Sequence, residues 1–288
     1  MTSRSPGTQQ RGSWRREKST VVLTEVDSPE RIEPPFAIHA ERAHVPVPLQ
    51  FEPHSHPLHE LVWVRGGTMT VQLKHLVLTV PQGHGVWLPA GLGHAGRMTA
   101  NTLLCDALFD PDRSRLQPAF LAGAPVAVHM SPVLESLLTH LEQADLSERA
   151  RLNAEAVVFD VLAPAARQLA LQVPSVGRLD PVVQALLDDP TDARGLGEWS
   201  EQLGLSERTM TRLFRSATGL SFQQWRQVLR VHHAVELLAE GLEVQEVAAL
   251  LGYAQPSTFI ASFKRVMGVT PGAFDADGRN AVSPGLEA

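Results

Sequence analysis

A single cysteine, Cys105, stands among 288 residues, so no disulfide can form within the chain. Nothing resembles the apolar core of a secretory signal, and no run approaches the roughly 18 apolar residues that a membrane-spanning helix needs. A reducing, cytoplasmic setting without a membrane partner is the expectation. Positive charge is also scarce: 25 Lys and Arg against 31 Asp and Glu leave a net charge of −6, which advertises no polyanionic partner for the chain as a whole. What is present is 43% hydrophobic residues, the composition of a folded, mildly acidic protein, in a length that suits two domains with separate cores.

The texture changes along the chain. Residues 1–20 carry Arg4, Arg11, Arg15, Arg16 and Lys18 against Glu17, lack apolar periodicity, and are expected to form a disordered basic tail. From about 36 to 108, β-like runs are broken by Gly and Pro: LVWV, TMTVQL, LVLTV and GVWLPA, with Arg65-Gly66-Gly67 as a turn. They predict an antiparallel sandwich or small barrel, forming a first domain over 21–130. Helix begins at Ser131-Pro132, where serine can cap and proline fits the first turn, and Val133, Leu134, Leu137, Leu138 and Leu141 follow at helical spacing. A second helical run is expected over about 147–171, kinked or broken at Pro164. These helices, 131–172, could be a dimer seam or a lid on the β-domain. VPSVGRLDP, 173–181, looks like a linker; 180–275 is helical in pattern, and 276–288 is a C-terminal tail.

Within the β-region, HSHPLHE places three histidines and a glutamate in residues 54–60. On one strand, His54, His56 and Glu60 would share parity and face one side, leaving His59 at the surface or rim. His94 would arrive from a later strand, after a Pro-Gly turn. Three imidazoles and a carboxylate suit a divalent transition ion such as Zn, Fe, Mn, Ni or Cu, and the set does not choose among them. His44, His75 and His84 have no comparable pattern and are read as solvated or ordinary hydrogen-bonded residues.

The helical region repeats itself. Ser200 stands four residues before Gly204, with Phe214, Gly219 and Ser221 following; Ala248 stands four before Gly252, with Phe263, Gly268 and Thr270 following. A small residue four before a glycine suits two helices that approach closely across a tight turn, as in a helix-turn-helix. The connecting stretch SFQQWRQVLRVHHAVELLAEG holds about 18 helical residues, or roughly 27 Å, comparable to the ~34 Å turn of B-DNA. Residues 180–275 hold eight basic residues against twelve acidic, net −4, yet 206–230 holds five arginines against Glu207 alone, and Lys264-Arg265 close the second copy. Positive charge is concentrated where DNA contact is expected.

Over 180–275 the chain resembles the AraC/XylS-type transcription regulators, and the terminal GYAQPSTFIASFKRVMGVTPGAF is similar to that family's signature. The resemblance implies bacterial, sequence-specific control of transcription through double-stranded DNA, with recognition helices starting near Ser206 and Pro256. Its base-facing positions fall on Arg208, Thr211 and Arg212 in the first helix, with Arg215 alongside, and on Pro256, Ser257, Ile260 and Ala261 in the second. Arginine can read guanine in the major groove, and threonine can touch a thymine methyl. The second helix departs from the polar and arginine-bearing versions common in the family, so it is expected either to read thymine methyls or mainly to grip phosphate through Thr258, Lys264 and backbone N–H groups. Leu213, Phe214, Trp225, Leu250, Phe259 and Phe263 sit at core spacing.

The first domain is similar to a cupin, placing a cupin-like β-barrel ahead of an all-α domain with two helix-turn-helix motifs. His54-x-His56-x3-Glu60-x6-Gly67 and Gly83-x5-Pro89-x-Gly91-x2-His94 match the two cupin motifs, although Met98 replaces the usual Asn. The implied metal ligands are His54, His56, Glu60 and His94; the same histidines could instead hold an organic effector, or the glycines and Pro89 could simply make turns. The combined expectation is a ligand-responsive transcription factor and not an enzyme, with a homodimer and RNA polymerase as further partners. The alternative is a metal-dependent cupin enzyme with an appended DNA-binding module, although no second carboxylate or lysine is obviously paired with the ligand set.

Overall fold

The computed structural model describes residues 20–24, 29–121, 123–165, 169–174 and 176–274. The expected tails over 1–20 and 276–288 therefore lie outside the described residues, Thr20 apart. The chain divides into two compact units, Glu17–Val173 and Pro174–Gly272.

The first unit contains β1 (Val21–Leu23), β2 (Ile38–Val45), β3 (Leu49–His54), β4 (His59–Arg65), β5 (Thr68–Leu73), β6 (Leu76–Pro81), β7 (His84–Leu88), β8 (His94–Met98) and β9 (Thr102–Phe109). Then come α1 (Pro118–Leu121), β10 (Val126–His129), α2 (Pro132–Leu141), α3 (Glu148–Val161) and β11 (Ala170–Gln172). One sheet orders β1-β3-β8-β5-β6-β11 and the other β10-β7-β4-β9-β2. Among the described residues no strand pairing joins the two sheets, so the expected cupin-like barrel is an open, two-sheet β-rich fold.

Burial explains why the middle strands read as continuous apolar runs. From β4, Val62 and Val64 face the other sheet and meet Met69, Val71, Leu78 and Met98. Leu61 and Trp63 point the opposite way, where Trp87 and Phe109 pack with Leu134, Leu138 and Leu141 of α2 and Ala154 and Val158 of α3. A strand dry on both faces loses its polar alternation. At the β4–β5 turn, Gly67 has φ +63°, and a Cβ there would lie 2.3 Å from the hydroxyls of Thr99 and Thr102.

A ten-residue helix is marginal alone, so α2 depends on its buried leucines, each contributing roughly 1.5–3 kcal/mol. Ser131 caps it, accepting the Leu134 N–H at 3.3 Å. The apolar face is narrower than expected: Val133 is 55% exposed. Glu155 fastens α3 to β2 by accepting the N–H groups of Ala37 at 3.0 Å and Ile38 at 3.2 Å. The helical run expected over 147–171, with a kink or break at Pro164, ends at Val161, and no helix resumes among the described residues up to 171. Pro164 bridges to Val128, and β11 pairs with β6; a distant strand edge overrides the local helical pattern.

The second unit is helical: α4 (Asp180–Asp188), α5 (Leu196–Gln202), α6 (Glu207–Thr218), α7 (Phe222–Ala239), α8 (Val244–Leu250) and α9 (Pro256–Met267). Gly204 and Gly252 take left-handed conformations, φ +63° and +73°, in the α5–α6 and α8–α9 turns. Ser200 and Ala248 are buried where the paired helices meet, as their spacing predicts. Phe214, Trp225, Phe259 and Phe263 are core residues, while Leu213 and Leu250 are half-buried. The joining helix α7 has 18 residues, about 27 Å at 1.5 Å per residue.

Candidate functional site

His54 ends β3, His56 lies in the connection that follows, Glu60 is the second residue of β4, and His94 opens β8. The single-strand parity expected over 54–60 therefore does not hold. The loop turns His56 inward instead: its carbonyl accepts the Gly91 N–H at 2.8 Å, an approach made by a left-handed glycine with φ +74°. Nε2 of His56 and Nε2 of His94 lie 3.1 and 3.3 Å from the same Glu60 oxygen, Oε2. The donor atoms of this trio all fall within 4.8 Å of one another. His54 does not join that group; its ring stands 4.3 Å from His94 and 6.3 Å from His56.

Each imidazole rests Nδ1 on a main-chain carbonyl, His54 on Glu52 at 2.9 Å, His56 on Leu58 at 2.8 Å and His94 on Leu92 at 2.9 Å. A carbonyl accepts, so Nδ1 carries the proton and a neutral ring presents a lone pair at Nε2. Two lone pairs aimed at a carboxylate oxygen repel it, so the trio calls for an imidazolium or a cation among the three atoms. The donor set fits a divalent ion: the 3.1 and 3.3 Å separations are close to the ~3.4 Å edge of a tetrahedron with ~2.1 Å bonds. Burial pushes the Glu60 carboxyl up, but hydrogen bonds and charge from His56 and His94 outweigh it and hold the group at about 2. For His56 burial disfavours the charged ring, yet Glu60 more than offsets this and the net shift is upward. His54 is lowered, chiefly by burial.

Glu60 and His94 of the trio, together with His54, line a cavity of about 660 Å³ within the first unit, reached by residues of both sheets. Its wall is largely apolar, with Val62, Met69, Val71, Leu88 and Met98 contributing; the polar groups include His54, Glu60, His94 and Asp106. Asp106 was not among the residues singled out from the sequence. The available signal was one acid inside the apolar run TLLCDALF, which forms β9. Register sets Asp106 opposite Val62, and its Oδ1 is buried with no hydrogen-bond partner among the described residues. Burial, then Glu60 and Glu41, push this carboxyl well above its ordinary range, against a smaller opposing effect of the Ala107 N–H.

His59, expected at the surface or rim, is half-buried; its Nδ1 accepts the Ala90 N–H at 2.9 Å, and its ring lies 5.1 Å from Trp87. His44 and His75 are exposed; His84 is half-buried with Nδ1 3.5 Å from the Gln82 carbonyl.

In the second unit α6 starts after Ser206, whose hydroxyl accepts the Thr209 N–H at 3.2 Å, so Ser206 is first of all a cap. Arg208, Arg212 and Arg215 are exposed and Thr211 is half-buried. On α9, Pro256, Ser257, Thr258, Ala261 and Lys264 are exposed and Ile260 is half-buried; Gln255 gives no side-chain cap. The arginine cluster over 206–230 divides in two. Arg226 donates to the carbonyls of Arg194, at 2.8 Å, and Asp192, and Arg230 donates to that of Pro190 at 3.0 Å. These two brace the loop before α5, leaving Arg208, Arg212 and Arg215 as the exposed basic face of α6.

Duplicated helix pairs joined by α7, each ending in an exposed second helix, define a helix-turn-helix DNA-binding protein. A profile for the Helix-turn-helix domain matches residues 199–277. The HTH-type transcriptional regulator NimR of Escherichia coli K12 is 31% identical over 245 residues, covering 84% of this chain and 86% of NimR. The HTH-type transcriptional activator RhaR of Enterobacter sp. is 27% identical, covering 77% of this chain and 86% of RhaR. Among solved structures, the DNA-binding domain of AdpA in complex with a target DNA aligns at 32% identity and TM-score 0.34, over 36% of this chain and 94% of that domain. The chain belongs to the AraC/XylS-type family of transcriptional regulators. Among the described residues no helix is long and apolar enough to cross a membrane.

Proposed function

We propose that this regulator is controlled by an effector seated in the cavity of the first unit, at the wall that His54, Glu60 and His94 line. The convergence of three donor atoms beside an apolar cavity carries the reading. A divalent transition ion held by His56, Glu60 and His94, with His54 beside it, would supply a Lewis-acid position for an effector's donor atom. His54 and the cavity wall orient whatever enters; the carbonyl contacts of the three imidazoles hold the rings in place.

At the other end, Arg208, Thr211 and Arg212 are the proposed base readers. Arg215, Thr258, Lys264 and the start of α9, including Ser257, are proposed phosphate contacts, while Pro256, Ile260 and Ala261 offer apolar contact to thymine methyls. A homodimer suits a protein that engages repeated half-sites, RNA polymerase is a proposed further partner, the setting is the bacterial cytoplasm, and no catalytic step is assigned. Effector and DNA must then influence each other's affinity reciprocally. Footprinting on the natural promoter, with and without added divalent ion or small-molecule inducer, tests the reading. Protection over two successive major-groove turns that changes with effector is expected; protection of one turn alone, or none that responds, refutes it.

A further inference from the structure

We propose that the effector is a small organic cation, an apolar body bearing one protonated nitrogen, and that the Asp106 carboxyl receives that nitrogen. This rests on the reading of the cavity as the effector seat. Among the described residues the charges lining the cavity are unbalanced: Glu41, Glu60 and Asp106 are acidic, Arg42 is the one Arg or Lys, and Arg42 already donates to Glu142 at 3.0 Å. Glu60 is met by His56 and His94, which leaves Asp106 as the carboxyl with an unpartnered, buried oxygen. Burial, with Glu60 and Glu41 nearby, raises this carboxyl well above its ordinary range. Away from any ion held at the trio, an entering carboxylate would meet Glu41 and Asp106, and among the described residues the one lining arginine is already engaged with Glu142. A protonated nitrogen instead supplies a charge-assisted hydrogen bond, while its apolar body packs on Val62, Met69 and Val71. A cavity of about 660 Å³ has room for a drug-sized molecule.

Three probes with one apolar body separate the possibilities: 1-naphthylmethylamine, 1-naphthalenemethanol and 1-naphthylacetate, titrated by calorimetry into the full-length protein. The amine should bind at least roughly tenfold more tightly than the alcohol, the worth of a charged hydrogen bond, and the acetate most weakly. Asp106→Asn, checked for folding by circular dichroism, should bring the amine to the alcohol's affinity; Glu41→Gln should leave the preference standing. Preference for the alcohol or acetate overturns the cation proposal while leaving the cavity as an effector seat. A preference for the amine that survives Asp106→Asn overturns the role of Asp106. If no probe binds, both the proposal and the effector seat fall.

Discussion

His56 and Glu60, four residues apart, close to 3.1 Å without sharing a helix or a strand. The contact exists because the chain leaves β3, turns through a loop tied to Gly91, and re-enters β4 with Glu60 on the cavity side. His94 completes the trio from a strand more than thirty residues later in the sequence. Purified wild-type protein should therefore carry about one divalent ion per chain by elemental analysis, and His94→Ala or Glu60→Gln should lose it. Loading should weaken as pH falls through the raised His56 value, since metal and proton compete for Nε2. Full metal content in both variants would place the ion elsewhere.

The exposed arginines of α6 should separate base reading from phosphate grip. Arg208→Ala and Arg212→Ala should each cost about 1–3 kcal/mol on the natural operator and relax preference at particular base pairs. Lys264→Ala should weaken binding to all sequences alike and reduce the salt slope by about 1. Gel shifts over a salt series, repeated on an unrelated duplex, distinguish the two patterns.

Arg226→Ala should behave differently from either. Its guanidinium is half-buried and committed to two loop carbonyls, so removal should destabilise the helical unit by about 1–3 kcal/mol and leave the salt slope unchanged. Thermal unfolding beside the same salt series reads both quantities; a shallower slope in a fully stable variant would make Arg226 a DNA contact.

Asp106 predicts a pH signature in stability. Its folded pKa is raised above the ordinary 3.8, so the associated stability is fully present below that value and is lost as pH rises toward the folded pKa. Asp106→Asn has no such loss. In the effector-free protein the variant should gain on wild type by up to about 1.4 kcal/mol per pH unit across that window. Unfolding midpoints at pH 5 and pH 7.5 check it; a gap that narrows with rising pH would mean the carboxyl has a partner in solution.

Local signals carried the helical half. Gly204 and Ser206 mark the start of α6 and Gly219 its end, and α9 begins at Pro256 as its motif indicates. Strands β4 to β7 were legible for the same reason: short apolar runs between glycine turns. What escaped depends on distant partners. The stretch before Gln172 became β11 only because β6 offers it an edge, and His59 turned inward because the Ala90 N–H needs an acceptor. Asp106 gains its meaning from the cavity across the sheet, and Arg226 and Arg230 from carbonyls more than thirty residues away. His54, His56, Glu60 and His94 stood out together in the sequence, but the separation of His54 from the other three depends on a loop whose path no strand periodicity describes.

Gly204 and Gly252 hold the two turns at backbone angles that any other residue would occupy only at a cost of roughly 1–2 kcal/mol. Nothing within 4 Å of a Cβ on Gly204 opposes a side chain, so the restriction there is conformational and not a matter of room. Shape is thereby assigned to a few backbone positions and the small residues packed beneath them, while the exposed positions of α6 and α9 carry none of it. Those outward positions can change through inheritance without unfolding the unit that presents them, so the target sequence of such a regulator can drift while its architecture stays the same.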